Sequence, residues 1–140
     1  MKESRLWKYV KPNFWGHSER IENTAGSGIP DVNTCWDGHE SWIELKIMKG
    51  YQFFLRRTQY NWISNRLKEK GNVFILIGNK RNTNRWQLDL ISGSDVLKTE
   101  PCNEKDQYYI FNIEDVEHTP LPSPINWHML NTIVYFGKNA

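Results

Sequence analysis

Apolar and polar residues divide the chain into runs of two different periods. Between residues 29 and 48 the spacing is that of extended strands, one over 29–35 and a second over 40–48, with Asp37-Gly38 between them. Both turn residues of a tight hairpin must tolerate positive φ, so Asp-Gly in this position predicts a β-hairpin. After Gly50 the spacing becomes helical: Trp62, Ile63 and Leu67 form one stripe, and Arg66, Lys68 and Lys70 lie off it. This predicts a helix over 59–70, with Thr58 as N-cap and Gly71 at C′. Residues 73–77, Val-Phe-Ile-Leu-Ile, are continuously apolar, as a central strand covered on both faces requires. Residues 85–90 alternate like a half-covered strand.

The remaining stretches fill in around this centre. A short N-terminal helix over 2–11 must end near Pro12, since the residue before proline is steered away from the α region. Residues 19–23 read as a first strand, followed by a flexible loop over 24–28. Gly93-Ser94 opens a short helix, 99–106 is a polar loop, 108–113 a last strand, 120–124 a stiff proline-rich connector and 127–135 a C-terminal helix. Strands in series, then helix, strand and strand, with helices at both ends, predict an α/β fold with a mixed central sheet flanked by helices.

Composition narrows the class without naming a chemistry. At 140 residues, 39% of them hydrophobic and 14% aromatic, the chain is expected to be one globular domain over 1–140. Its core is expected over about 19–91, with a C-terminal extension over about 99–140. No apolar run reaches bilayer-spanning length and the N-terminal residues form no apolar signal segment, so a cytoplasmic protein with no membrane partner is expected. Cys35 and Cys102 lie far apart and the four histidines are scattered, which indicates neither a zinc site nor a disulfide framework. Net charge is only +2, but residues 46–85 carry ten Lys or Arg against one acid, Glu69, whereas 86–126 carry two bases against eight acids. A basic block in a nearly neutral chain suggests one face built for a polyanion.

Charge inside the hairpin changes the picture most. Asp31, Glu44 and Lys46 interrupt runs that otherwise suit a sheet. With Asp37 and Gly38 as the two loop residues, Trp36 faces His39 and the register sets Asp31 opposite Glu44, with Lys46 on the same face. Directly opposed like charges repel, so the pair needs a reason to stay ionised. A divalent cation with hard oxygen ligands supplies one and points to a Mg²⁺ site for phosphoryl chemistry. Lys46 could orient or deprotonate a water there and stabilise developing charge. The competing reading is a salt bridge of Lys46 with Glu44 or Asp31 on a solvent-facing sheet.

Pro30-Asp31 followed by Glu44-Leu45-Lys46 resembles the motif of the PD-(D/E)xK nuclease superfamily. The stretch from Arg20 through the Gly-rich loop to Asp31 resembles its small phage-type members, near the VRR-NUC and Holliday-junction-resolvase branches. The resemblance implies a restriction-endonuclease-like core in α-β-β-β-α-β order and a Mg²⁺-dependent phosphodiesterase in which Mn²⁺ can substitute. It makes Asp31 and Glu44 metal ligands, with the Leu45 carbonyl as a third, and Lys46 the catalytic lysine. Gln59 fits a glutamine that relatives carry at the start of the next helix. A further acid is expected from Glu22, in preference to Glu3 or Glu19. DNA, branched or junction DNA in particular, is the implied partner and a homodimer the implied assembly, in a bacterial or phage-infected cell. Arg20, Ser27, Lys49, Arg56, Arg57 and Arg66 are candidate DNA contacts. Gly26-Ser27-Gly28 could admit a phosphate to backbone amides or serve only as a turn, and Trp36 could stack on an unpaired base. The alternatives are a sequence-specific restriction or nicking endonuclease and an inactive nucleic-acid-binding module.

Overall fold

The computed structural model describes residues 2–21, 27–80 and 83–137. The chain opens with helix α1 (Glu3–Val10) and a 3₁₀ turn (Lys11–Asn13), then strands β1 (His17–Arg20), β2 (Val32–Trp36), β3 (His39–Ile47) and β4 (Gln52–Arg56). Helix α2 (Arg57–Lys68) leads to β5 (Val73–Asn79), β6 (Gln87–Ser92) and the short helix α3 (Gly93–Leu97). The last third supplies β7 (Asn103–Lys105), β8 (Tyr108–Asn112), β9 (Thr119–Leu121) and helix α4 (Trp127–Phe136). No helix among the described residues is long and apolar enough to cross a membrane.

Six strands form a mixed sheet in the order β1-β2-β3-β5-β6-β9, and β4-β8-β7 form a second, antiparallel sheet. Only the β3–β5 pair of the large sheet is parallel. A parallel pair needs a crossover, and α2 provides it. One face of the large sheet carries Ile43, Leu45 and Leu76 against Leu6 and Val10 of α1 and Leu130 and Val134 of α4. The other carries Ile75, Ile77 and Ile91 against Ile63 of α2, Val96 of α3 and Phe53, Leu55 and Phe111 of the small sheet. β5 is buried along its whole length, as its unbroken apolar run requires. Asn131 of α4 accepts the Trp15 N–H at 2.9 Å and donates to the Asn13 carbonyl at 2.9 Å, pinning the chain between α1 and β1.

The hairpin forms as its turn predicts. Asp37 and Gly38 have φ of 50° and 81°, both left-handed as a type I′ turn requires, and the ladder runs from Trp36↔His39 to Val32↔Ile43. It ends there, so β2 (32–36) starts later than the expected 29–35 strand and Asp31, expected opposite Glu44, stands just beyond the ladder. Strand β1 lies at 17–20, two residues ahead of the expected start at 19, and residues 22 and 23 of the expected strand lie outside the described residues. The expected 59–70 helix begins two residues early, with Arg56 instead of Thr58 as N-cap, and Lys70 instead of Gly71 takes the left-handed position after its end, at φ 64°. Strand β4 was not expected, nor were β7 and β9, which lie in stretches read as a loop and a connector. Trp36 packs against Trp15 at 5.0 Å and Phe136 at 5.7 Å, at the turn end of the hairpin away from Asp31 and Glu44. It is a packing residue, not a stacking platform.

Candidate active site

Backbone parity explains how the two hairpin acids come together. Trp42 and Met48 donate their N–H groups to Asn72 and Gly78, so even-numbered residues of β3 hydrogen-bond toward β5 and odd-numbered ones toward β2. Leu45 is odd. Two steps beyond Val32↔Ile43 its partner position is Pro30, which has no N–H to offer the Leu45 carbonyl. The chain bends at Asp31 instead, and the Asp31 carboxylate accepts the Leu45 N–H at 2.8 Å. The Asp31 carbonyl meanwhile accepts the Ile21 N–H at 2.7 Å. Asp31 therefore ends the ladder with its side chain beside Glu44.

Glu44 is 2% exposed and Gln59 is 5% exposed. Gln59 Nε2 donates to Glu44 Oε2 at 3.1 Å, while its Oε1 accepts both Lys46 Nζ at 3.0 Å and the Arg56 N–H at 2.9 Å. One amide thus orients the acid, holds the lysine and caps the first turn of α2. The competing salt bridge on a solvent-facing sheet is not what forms: Glu44 is buried and Gln59 stands between it and Lys46. Burial pushes the Glu44 carboxyl well above its ordinary value, and the neighbouring Asp31 charge, with a hydrogen bond between the two side chains, raises it further. Lys46 and Arg56 oppose that shift.

Two carboxyl groups this close are reconciled by a shared proton or by a cation. Their oxygens, with the Leu45 carbonyl that Pro30 leaves without a strand partner, make a donor set of the kind that suits a hard divalent ion. Among the described residues no group of three His, Cys, Asp or Glu side chains comes together as a ligand cluster. Glu22, the preferred further acid, lies outside the described residues. Glu19 is exposed on β1, whereas Glu3 of α1 lines the same groove as Lys46.

That groove, about 1040 Å³, opens beside the network, which it touches at Lys46 and Arg56. Lys49 and Lys80 line it from the sheet ends, and Lys105 and Tyr108 from the small sheet. Of the expected DNA contacts it collects Lys49 and Arg56. Arg57 lies over the Tyr109 ring at 5.7 Å, on the far side of the small sheet from the groove. Arg66 stacks on Trp62 at 4.4 Å and Trp42 at 5.4 Å, a packing role the sequence did not suggest. Arg20 and Ser27 are exposed outside the groove. Gly26 lies outside the described residues. Gly28 is buried against the first turn of α2, where a Cβ would meet the Thr58 carbonyl oxygen at 2.2 Å. The glycine thus lets two backbones touch. Lys80 was counted in the basic block without being singled out as a contact, and Lys105 and Tyr108 were missed because nothing in their own stretches indicates that the chain's last third returns to this groove.

Gln59→Ala is expected to cost about 1–3 kcal/mol, because it leaves a buried carboxylate without its donor and the N-terminus of α2 without its cap. Urea unfolding of the variant beside the parent protein measures the difference. A cost near zero would mean that water replaces the amide and that the network is not held by Gln59.

No family model matches the chain, and no curated protein sequence matches it. Among solved structures it is similar to Hjc from Archaeoglobus fulgidus, a Holliday junction resolvase of an archaeal hyperthermophile. The likeness has a TM-score of 0.51 at 12% sequence identity and covers 80% of this chain and 81% of that one. At that identity the likeness establishes architecture: the chain has a restriction-endonuclease-like α/β fold, a central mixed sheet flanked by helices.

Proposed function

We propose that the protein is a Mg²⁺-dependent DNA endonuclease of the PD-(D/E)xK type that hydrolyses phosphodiester bonds. One observation carries the reading: buried Glu44, with half-buried Asp31 beside it, is tied through a single glutamine to Lys46, and Lys46 opens onto a groove lined by Lys49, Arg56, Lys80 and Lys105 against the acids Glu3 and Asp106. Asp31, Glu44 and the Leu45 carbonyl are the groups that would hold Mg²⁺, or Mn²⁺ in its place. A divalent ion bound there would supply polarisation of a phosphoryl oxygen and a lowered pKa for water.

The chain's own residues account for the rest. Gln59 fixes the Lys46 ammonium at the mouth of the groove, where it can hold a water for in-line attack and offset charge building on the phosphate. Arg56 adds a second positive charge beside it. Glu3 of α1 lines the same groove, as does Asp106. Branched DNA is the favoured substrate, because the resolvase-like fold and a groove reading backbone charge both suit recognition by shape. Cutting two strands symmetrically would call for a homodimer.

The test is incubation with Mg²⁺ and, in separate reactions, a four-way junction, a flap, a single strand and a linear duplex. Cutting confined to branch points is the expected result. A fixed fragment pattern on plasmid DNA would favour sequence-specific restriction. Binding without cutting in either Mg²⁺ or Mn²⁺ would overturn the nuclease reading.

A further inference from the structure

The small sheet has two unlike faces. Phe53, Leu55 and Phe111 point into the core, and the alternate residues Phe54, Arg56, Tyr108 and Ile110 line the groove. Register sets the groove-facing residues in rows across the strands. Arg56 pairs with Tyr108, and Tyr108 pairs with Lys105, so one row reads cation, aromatic, cation. Tyr108 is 38% exposed and meets Phe54 edge-to-face at 6.2 Å. The row begins at Arg56, whose N–H is bound to Gln59, so it adjoins the Lys46 network directly. Across the groove stand Lys49 and Lys80.

Resting on the nuclease reading above, we infer that this face holds an unpaired nucleic-acid strand next to the phosphate that is cut. Tyr108 stacks on a base while Lys105 and Arg56 take the phosphates on either side. A cation–aromatic–cation row suits a single strand, because neighbouring strands of a sheet lie about 4.8 Å apart and a base face can reach the ring only when it is unstacked. A duplex buries its base faces in its own stack and would use the cations alone, leaving the aromatic without a function. The preferred substrate is then one with a single-stranded segment at the cleavage point, such as a tail, flap or opened branch.

Binding in EDTA tests this apart from cleavage. Fluorescence anisotropy compares a blunt duplex with the same duplex bearing a single-stranded tail, for the parent protein and for Tyr108→Ala, Tyr108→Phe and Lys105→Ala. The tailed duplex should bind at least about fivefold tighter, the factor one stacked base supplies. Tyr108→Ala should remove that preference without changing affinity for the blunt duplex. Tyr108→Phe should keep it, and Lys105→Ala should weaken the tailed duplex and flatten its salt dependence. Equal affinity of the parent for both DNAs, a preference that survives Tyr108→Ala, or its loss in Tyr108→Phe would each overturn the inference. Failure to cut any substrate in Mg²⁺ with the tail preference intact would defeat the nuclease reading and leave the strand-binding face standing.

Discussion

Glu44→Gln is expected to lower Mg²⁺-dependent cleavage by about 10²-fold or more while making the metal-free protein more stable at neutral pH. The two effects share one cause. Glu44 is buried against Asp31, and its carboxyl titrates well above the ordinary value of 4.5. Between that value and its folded-state pKa the folded protein binds more protons than the unfolded chain, so this group's stabilising contribution is full below 4.5 and is lost as pH rises. A glutamine carries no charge to lose, and its amide can still accept from Gln59 and donate to Asp31. Its stability curve should therefore fall less than that of the parent as pH rises above 4.5. Asp31→Asn should likewise abolish cleavage, since its amide oxygen can keep the Leu45 N–H but no longer offers a carboxylate. DNA binding should remain in both, because the groove cations are untouched. Full cleavage by either variant would remove the acid pair from the mechanism, and a marked loss of stability at neutral pH in Glu44→Gln would show that the charge is compensated in the folded state.

Gly28→Ala should be strongly damaging although it leaves the acids themselves in place. Gly28 sits at φ 78°, and an added Cβ would lie 2.2 Å from the Thr58 carbonyl oxygen and 3.0 Å from the Gln59 nitrogen. Neither neighbour is a side-chain tip that can move aside. The segment before Pro30-Asp31 must separate from the start of α2, and the acids lose their fixed relation to Gln59. A cost of about 3 kcal/mol or more is expected, and a fall in Tm of about 10 °C. Gly38→Ala is the control. Gly38 has a similar φ of 81°, but its Cβ would meet nothing within 4 Å. It should cost only the left-handed backbone penalty, about 1–2 kcal/mol. Equal losses in the two variants would show that backbone conformation alone, not the contact with α2, is what Gly28 supplies.

Local signals found the hairpin and the centre of the fold, and long-range ones did not. Asp37-Gly38 fixes a two-residue turn, a two-residue turn fixes the register, and the register brings Asp31 to Glu44. Each step uses residues close in sequence. The run at 73–77 announces a strand covered on both sides by its composition alone. The exit of Asp31 from the ladder was not legible, because it depends on a missing N–H at Pro30 meeting a particular carbonyl. β4 escaped notice for a similar reason: Gln52 to Arg56 alternates weakly, and its strand identity comes from partners in β8. Arg66 looked like a phosphate contact because sequence shows its charge but not the two indole rings that hold it. The choice among Glu3, Glu19 and Glu22 could not be made from spacing, since it turns on where α1 packs against the sheet.

The small sheet has a consequence for the order in which the molecule assembles. β2 and β3 meet across two residues, whereas Gln52 of β4 bonds to Asn112 of β8, sixty positions further along the chain. Closing a loop of that size costs conformational entropy before any contact rewards it, so pairings of this range form late. The acids and lysine can therefore be aligned in an early hairpin, while the wall carrying Tyr108 and Lys105 waits for the last third of the chain. Amides of β8 should accordingly gain hydrogen-exchange protection after those of β3 during refolding. The two acids are aligned by a hairpin closed across two residues, and the groove beside them by a strand pairing sixty positions apart.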